Sequence, residues 1–233
     1  MIHIEHFTFN AFQERAFVVW DNDGFCAFVD PGFATDAERD SLTDFVSKKG
    51  LKPVCIMLTH AHLDHIFGVA ELARTYNIPV YMDEREKYTL EVCNPFLCRA
   101  FGLPMPEAFE TASMELAQEQ TSEQIPVGKV IKVGSLNFEV IETPGHSVGG
   151  VCFLERNEKV LFSGDTIFAG AIGRTDHPGG DYDLLMKSIF EKLMCLDGDI
   201  AVIPGHGPDT SIADERMTNP FLLPFNEPYE EKA

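Results

Sequence analysis

Three histidines and an aspartate lie within six positions of one another, in the segment His-Ala-His-Leu-Asp-His. The four residues are His60, His62, Asp64 and His65. Neutral imidazole and carboxylate are ligands that suit zinc and its first-row neighbours. Alone, Asp64 would be an ordinary residue for beginning a helix, and a single histidine is more often packed or solvated. Four ligand-type residues at this spacing, with apolar sequence on both sides, instead predict a metal site.

The flanking elements explain how this segment can present ligands. The apolar run at residues 51–58 is typical of a buried strand, and helical spacing of apolar residues follows at Ile66, Val69, Ala70 and Ala73. The ligands therefore lie on a turn between a strand and a helix. His60 and His62 are two residues apart in extended chain, so their side chains can converge on one ion. Asp64 and His65 lie at the start of the helix and can face a second ion.

Three further turns share one form, in which an apolar strand is followed by glycine and then by a ligand-type residue. Pro-Gly precedes His146 and His206, and Ser-Gly precedes Asp165. Glycine before the ligand allows a tight turn and a close approach of the backbone to a site. With the first segment, these turns make seven candidate ligands, which is too many for one tetrahedral ion. The count predicts two ions that share a bridging carboxylate.

The order of predicted elements divides the chain into two similar halves, at about residues 1–81 and 127–207. Helices follow groups of strands, as at 36–48 and 182–196, and do not alternate with single strands. This order favours two sheets packed face to face with helices outside each. We therefore predict an α/β fold, a four-layer αββα sandwich of two mixed sheets, in which residues 1–233 form a single domain.

Residues 83–125 have no strand pattern and are predicted to be an insertion of helices and loops. Helical stretches are expected at 84–93 and 106–118, interrupted by prolines. The insertion would either cover the metal face or act as a spacer. Cys93 and Cys98 within it would either pair or stay reduced. Reduced, mostly buried thiols are favoured for all six cysteines because the chain shows no secretion signal.

The composition limits the possible partners. The chain has 18 basic and 37 acidic residues and a net charge of −19, which argues against binding to nucleic acid or to an anionic membrane. No apolar run approaches the roughly 20 residues of a membrane helix. The first residues lack the basic and apolar regions of a signal peptide, so a cytoplasmic location is expected. The sequence does not indicate an oligomeric state.

Four motifs occur in the order Thr-His-Ala-His-Leu-Asp-His, Thr-Pro-Gly-His, Ser-Gly-Asp-Thr and Pro-Gly-His-Gly. Together they resemble the metallo-β-lactamase superfamily, and most closely its short glyoxalase II-like (hydroxyacylglutathione hydrolase-like) members. Residues 170–180 and 212–221 are also similar to those short members. The resemblance implies an αββα sandwich with metal ions at the edge of the sheets.

The resemblance also implies a ligand set for each of two divalent ions, with Asp165 bridging both. The other six ligands divide into two sets of three, His60, His62 and His146 for one ion and Asp64, His65 and His206 for the other. Zinc is expected from the ligand types, although iron and manganese suit the same residues.

A metal-dependent hydrolase is the expected function. Two adjacent divalent ions lower the pKa of a bridging water, so that a metal-bridging hydroxide can attack a carbonyl carbon at neutral pH. Asp64 would act catalytically by orienting this nucleophile and carrying a proton to the leaving group. The resemblance favours a small-molecule thioester of the hydroxyacyl-thiol type. It leaves glutathione open, because full-length glyoxalase II binds glutathione with a C-terminal helical region outside the matched motifs.

Two alternatives come from the same superfamily. One is a non-haem iron dioxygenase acting on persulfides, which needs two histidines and one carboxylate; the other is a hydrolase of lactones or β-lactams. Substrate contacts are predicted on the loop after the bridging ligand, at Arg174 and His177, and at Tyr182. Arg174 would either hold a substrate carboxylate or pair with Asp176 and stiffen the loop. The pair is favoured because exposed loop charges are common.

Overall fold

The computed structural model describes residues 1–112 and 129–223. Its first sheet has the strand order β1-β2-β3-β4-β5. The strands are β1 (His3–Phe9), β2 (Glu14–Trp20), β3 (Phe25–Val29), β4 (Lys52–Met57) and β5 (Val80–Tyr81). The first three strands are antiparallel, whereas β3, β4 and β5 run parallel, so the sheet is mixed.

The second sheet has the order β13-β12-β9-β8-β7-β6, and a two-stranded ribbon, β10-β11, lies apart from it. The strands are β6 (Val130–Val133), β7 (Leu136–Glu142), β8 (Val151–Glu155), β9 (Val160–Gly164), β10 (Ile167–Phe168), β11 (Ala171–Ile172), β12 (Ala201–Pro204) and β13 (Thr210–Ser211). Only β9 and β12 pair in parallel among the described strands of this sheet. This sheet is therefore mixed as well.

Six α-helices connect the strands within the described residues. They are α1 (Asp36–Lys49), α2 (Leu63–Ile66), α3 (Val69–Tyr76), α4 (Asn94–Phe101), α5 (Tyr182–Ser188) and α6 (Ile212–Thr218). The prediction of α1 is confirmed. Thr35 and Glu38 form a capping box at its start, and Gly50 ends it in the left-handed conformation.

Three hydrophobic layers hold the sandwich together. The central layer contains side chains from both sheets, and the rings of Phe17 and Phe162 are 5.3 Å apart across it. An outer layer joins the first sheet to α1 and α3, for example through Leu42 and Leu72. The other outer layer joins the second sheet to α5 and α6, for example through Leu185. Fully burying each such side chain contributes about 1.5–3 kcal/mol, and the predicted αββα fold is confirmed.

The stretch predicted to be helical at 84–93 is helical, but it is not one regular α-helix. The chain instead makes a 3-10 turn (Glu84–Glu86) and a π-helical turn (Thr89–Cys93) that runs directly into α4. Pro95 does not interrupt this helix, because it lies in the first turn of α4, where its missing N–H is not needed.

The predicted helix at 106–118 is wrong for its first part. Residues 106–112 are not helical, and the backbone N–H of Ala112 donates to the oxygen of Val80 (2.8 Å) beside β5. Bonding to the sheet edge replaces the helical bond in this stretch. The remainder of that prediction, and the start of the strand expected at 127–133, lie outside the described residues.

Two other helices differ from the predictions. The chain before Tyr76 forms α2 and α3 separately, and the backbone N–H of Gly68 between them donates to the oxygen of Pro31 (2.9 Å). The helix expected at 182–196 is α5 followed by a π-helical turn, Ile189–Leu193. Within residues 1–112 and 129–223, no helix has both the length and the apolar character needed to cross a membrane.

The segment from Glu86 to Asn94 holds the ligand-bearing turn. One carboxylate oxygen of Glu86 accepts from the backbone N–H of Ala61 (2.8 Å), and the other accepts from Gly149 (2.7 Å). The side-chain amide of Asn94 donates to the oxygen of Ala61 (2.8 Å). This part of the predicted insertion therefore packs on the metal face and is not a spacer.

Candidate metal centre

All seven candidate ligands follow strand ends at one edge of the sandwich. The turn after β4 and the start of α2 carry the first four ligands, and the turns after β7, β9 and β12 carry the last three. The structure therefore brings together side chains that are up to about 150 residues apart in the sequence.

The first cluster, called the imidazole group here, consists of His60, His62 and His146. One ligand atom of each lies within 4.8 Å of the others, and all three side chains are buried. The backbone oxygen of Arg174 accepts from Nδ1 of His146 (2.8 Å), which leaves Nε2 of that ring free to face the site. Nδ1 of His62 lies 2.9 Å from this Nε2, so His62 faces the group through Nδ1.

The second cluster, called the carboxylate group, consists of Asp64, His65 and His206, whose ligand atoms also lie within 4.8 Å of one another. Oδ2 of Asp64 is 3.3 Å from Nε2 of His206 and 3.8 Å from Nε2 of His65. Burial alone would lower the pKa of His65, but the carboxylates of Asp165 and Asp64 raise it well above its usual value.

Asp165 lies between the two groups. Its Oδ1 is 3.5 Å from Nε2 of His65, and its Oδ2 is 3.6 Å from Nε2 of both His146 and His206. Burial would raise the pKa of Asp165, but the surrounding imidazoles, above all His65, hold it well below its usual range. The side chain is thus an anionic carboxylate with an oxygen directed at each group.

Asp30 orients one imidazole of each group and is a residue that the sequence analysis missed. Its Oδ1 accepts from the backbone N–H of Thr59 (2.7 Å), and its Oδ2 accepts from Thr59 Oγ1 (2.5 Å) and lies 3.2 Å from Nδ1 of His65. Thr59 Oγ1 in turn lies 3.0 Å from Nδ1 of His60. Holding Nδ1 in this way presents Nε2 of each ring to a cation. The signal for Asp30 was its position at the end of a strand at the same sheet edge.

Buried atoms without partners show that these residues fit cations. Nε2 of His60, Nε2 of His65 and Oδ1 of Asp165 are buried and accept or donate no hydrogen bond. Leaving such an atom unsatisfied costs about 1–3 kcal/mol, and one cation at each group would together satisfy all three. Burial, together with neighbouring imidazoles, holds the pKa of His60 well below its usual value, and a neutral imidazole is the form that binds metal.

Gly205, which precedes His206, must be glycine because two side chains of the site lie close to its backbone. A Cβ atom at Gly205 would lie 2.5 Å from Oδ1 of Asp165 and 2.8 Å from Cε1 of His65. Any larger residue would therefore displace two candidate ligands at once.

The three predicted substrate contacts have different surroundings. The ring centroid of His177 is 4.6 Å from that of His62, so His177 lies at the metal centre. The Arg174 side chain is exposed, and its Nε donates to Asp176 (2.7 Å), which is the pairing expected for a stiffened loop. Tyr182 begins α5 with its side chain exposed.

The sequence model of the family described as the metallo-beta-lactamase superfamily matches residues 10–206. This span contains every candidate ligand. The chain therefore belongs to the metallo-β-lactamase superfamily and is a metal-dependent hydrolase of that class with a histidine-rich candidate metal site.

Individual relatives cover nearly the whole chain. Hydroxyacylglutathione hydrolase GloC of Haemophilus influenzae is 36% identical over 222 residues, which are 95% of this chain and 98% of that protein. The crystal structure of BLEG-1 B3 metallo-beta-lactamase is similar with a TM-score of 0.78 and 37% identity, covering 94% of this chain and 99% of that one. TTHA1623 in a di-iron-bound form has a TM-score of 0.76 and 34% identity, covering 94% of this chain and 100% of that one.

Proposed function

We propose that the protein hydrolyses small-molecule thioesters with two divalent cations, one at the imidazole group and one at the carboxylate group. The observation that carries this proposal is the position of Asp165. One of its oxygens lies 3.6 Å from Nε2 of His146 and 3.6 Å from Nε2 of His206, which belong to different groups. A carboxylate in this position is suited to contact both cations and to hold them close together.

Each ligand has a defined task in this proposal. The three imidazoles of the first group would hold one cation, the carboxylate group the other, and Asp165 would contact both. Cations held by these residues would supply an acidified water and would polarise the substrate carbonyl.

Asp64 is proposed to handle the proton. Its side chain is 14% exposed, so it meets both the buried centre and the solvent side. Its backbone oxygen accepts from the side-chain amide of Asn10 (2.9 Å), which fixes its position at the start of α2. From there the carboxylate orients the attacking water and carries a proton towards the leaving sulfur.

A thioester suits this arrangement because a thiolate leaves readily and needs little help from a general acid. The similarity to hydroxyacylglutathione hydrolase GloC supports a hydroxyacyl thioester in particular. We propose zinc as the metal from the ligand types, and the di-iron form of TTHA1623 makes iron the first alternative to measure. A net charge of −19 opposes binding to nucleic acid and to anionic membranes.

One experiment tests this proposal. The purified protein is analysed for bound metal and assayed with a hydroxyacyl thioester, a lactone and a β-lactam, while oxygen uptake is followed with a persulfide. We expect about two metal ions per chain and hydrolysis of the thioester. Preferential hydrolysis of the lactone or the β-lactam would overturn the substrate class. One iron per chain with substrate-dependent oxygen uptake would overturn hydrolysis itself.

A further inference from the structure

The ring of His62 has a second nitrogen that the imidazole group does not use. Its Nδ1 lies 2.9 Å from Nε2 of His146 and belongs to that group. Its Nε2 is buried and has no hydrogen-bond partner. A metal-binding imidazole normally donates its other N–H to a carboxylate, a backbone carbonyl or water. The bare Nε2 of a side chain that is only 6% exposed therefore points to a missing partner.

Two side chains outside the seven candidate ligands lie beside this ring. Ligand atoms of His62, Cys93 and His177 are within 4.8 Å of one another. Cys93 is fully buried and forms no disulfide. Nε2 of His177 is buried without a hydrogen-bond partner, and the rings of His177 and His62 are nearly perpendicular, at 86°.

The backbone holds these side chains in place. Cys93 ends the π-helical turn Thr89–Cys93, and such turns are frequent at functional sites. The loop that carries His177 packs against the same segment, since a Cβ atom at Gly179 would lie 3.3 Å from the ring of Tyr88. The two elements therefore present a thiol and an imidazole to His62 without rearrangement.

We propose that Cys93, His62 and His177 form an additional site for a thiophilic divalent cation of the zinc class. One sulfur and two imidazoles are a donor set typical of zinc, and three protein ligands leave a fourth position for water. Binding breaks the S–H bond of Cys93 and, when Nδ1 of His62 already binds a cation, the N–H bond at Nε2 of His62, and both protons go to solvent. Lone pairs of the sulfur and of the two ring nitrogens then form the three bonds to the cation, and nothing is oxidised or reduced.

The additional site shares one ring with the imidazole group. When both sites are filled, His62 binds a cation through each nitrogen and loses its remaining ring proton. Proton release and repulsion between cations both weaken binding, so the additional site is expected to fill after the first two. The proposal does not depend on thioester hydrolysis.

Cobalt titration of the metal-free protein tests this site directly. A Cys195→Ser background removes the exposed thiol, so that it cannot bind cobalt. Sulfur bound to Co²⁺ gives a near-ultraviolet charge-transfer band that imidazole and carboxylate ligands do not give. We expect this band at saturation with three cobalt ions per chain. Cys93→Ser should abolish the band and reduce the stoichiometry to two.

Two further variants test whether His177 is a ligand of the site and whether another buried thiol contributes to the band. His177→Phe keeps an aromatic ring beside His62 but removes both nitrogens, so about 10–100 times more cobalt should be needed to develop the band. Cys98→Ser changes another buried thiol, in α4, and should leave the band intact. Absence of the band in the folded background protein at saturating cobalt would overturn the proposal without any variant. Persistence of the band in Cys93→Ser would overturn it equally.

Discussion

The imidazole group and the carboxylate group lie side by side, but their imidazoles hold protons very differently. Burial lowers the pKa of His146 to about 4 and also lowers that of His60. In the carboxylate group the pKa of His65 is raised well above its usual value, and the pKa of His206 is raised too. Burial by itself would lower the pKa of His65 and of His206, but the nearby carboxylates outweigh this effect.

Burial cannot be the cause of the difference, because His60 and His65 are 2% and 0% exposed. What differs is the number of carboxylates around each ring. Nitrogens of His65 lie within 3.8 Å of three carboxylates, those of Asp30, Asp64 and Asp165. The same residue type is therefore held neutral in one group and favours its protonated form in the other.

Replacing the shared carboxylate should have the largest effect. Asp165→Asn keeps the size of the side chain but removes the charge that faces both groups. We expect a loss of thioester hydrolysis of about a hundredfold or more and weaker metal binding at both groups, measured by steady-state kinetics and metal analysis. Asp176→Asn is the matched control, since that carboxylate is exposed and pairs with Arg174. Unchanged turnover by Asp165→Asn would contradict a bridging role.

Removing the metal should destabilise the folded state. A cation that binds only folded protein contributes about 4 kcal/mol when present at a thousand times its dissociation constant. Denaturant unfolding with zinc and with a chelator should therefore give different midpoints. The difference should shrink in Asp165→Asn and persist in Asp176→Asn. Identical midpoints with and without chelator would show that the unpaired buried atoms are satisfied in another way.

A pair of substitutions should separate the two groups. Asp30→Asn alters a direct contact to His65, whereas Thr59→Val removes the hydroxyl beside His60. Loss of such orienting bonds typically weakens metal binding about 10–100-fold. Calorimetric titration should show the larger loss at the carboxylate group for Asp30→Asn and at the imidazole group for Thr59→Val. If both variants lost metal affinity equally at both groups, Asp30 and Thr59 would not orient His65 and His60 separately.

Mild acidification should release metal from the two groups one after the other. Protons compete with the cation at His65 and His206 at higher pH than at His146, because the first two pKa values are raised and the third is lowered. As pH falls, the carboxylate group should release its metal first. Metal content after dialysis at stepwise lower pH measures this order. Loss of metal from the imidazole group first would contradict the proposed difference in proton affinity between the two groups.

The local features of this chain were readable from its sequence. Thr35 and Gly50 mark the two ends of α1 because capping depends on residues within one turn of the helix. The apolar runs before each ligand-bearing turn became strands, because a run of buried side chains is a local pattern. The choice of seven ligand-type residues rested on the same kind of pattern.

Features that depend on distant partners were not readable. The sheet-edge bond of Ala112 replaces a predicted helix, and the helical stretch at 84–93 takes a π-helical form at Thr89–Cys93, because contacts from other parts of the chain override local preference. Asp30 was overlooked because it is 29 residues from Thr59 and 35 from His65.

The sequence by itself determined which side chains can bind cations and which turns carry them. Only the tertiary structure decided which imidazole stays neutral, which nitrogen of each ring faces the centre, and that Cys93 lies beside His62. Proton affinity and orientation depend on charges and hydrogen bonds within a few ångströms, and folding alone brings those neighbours together.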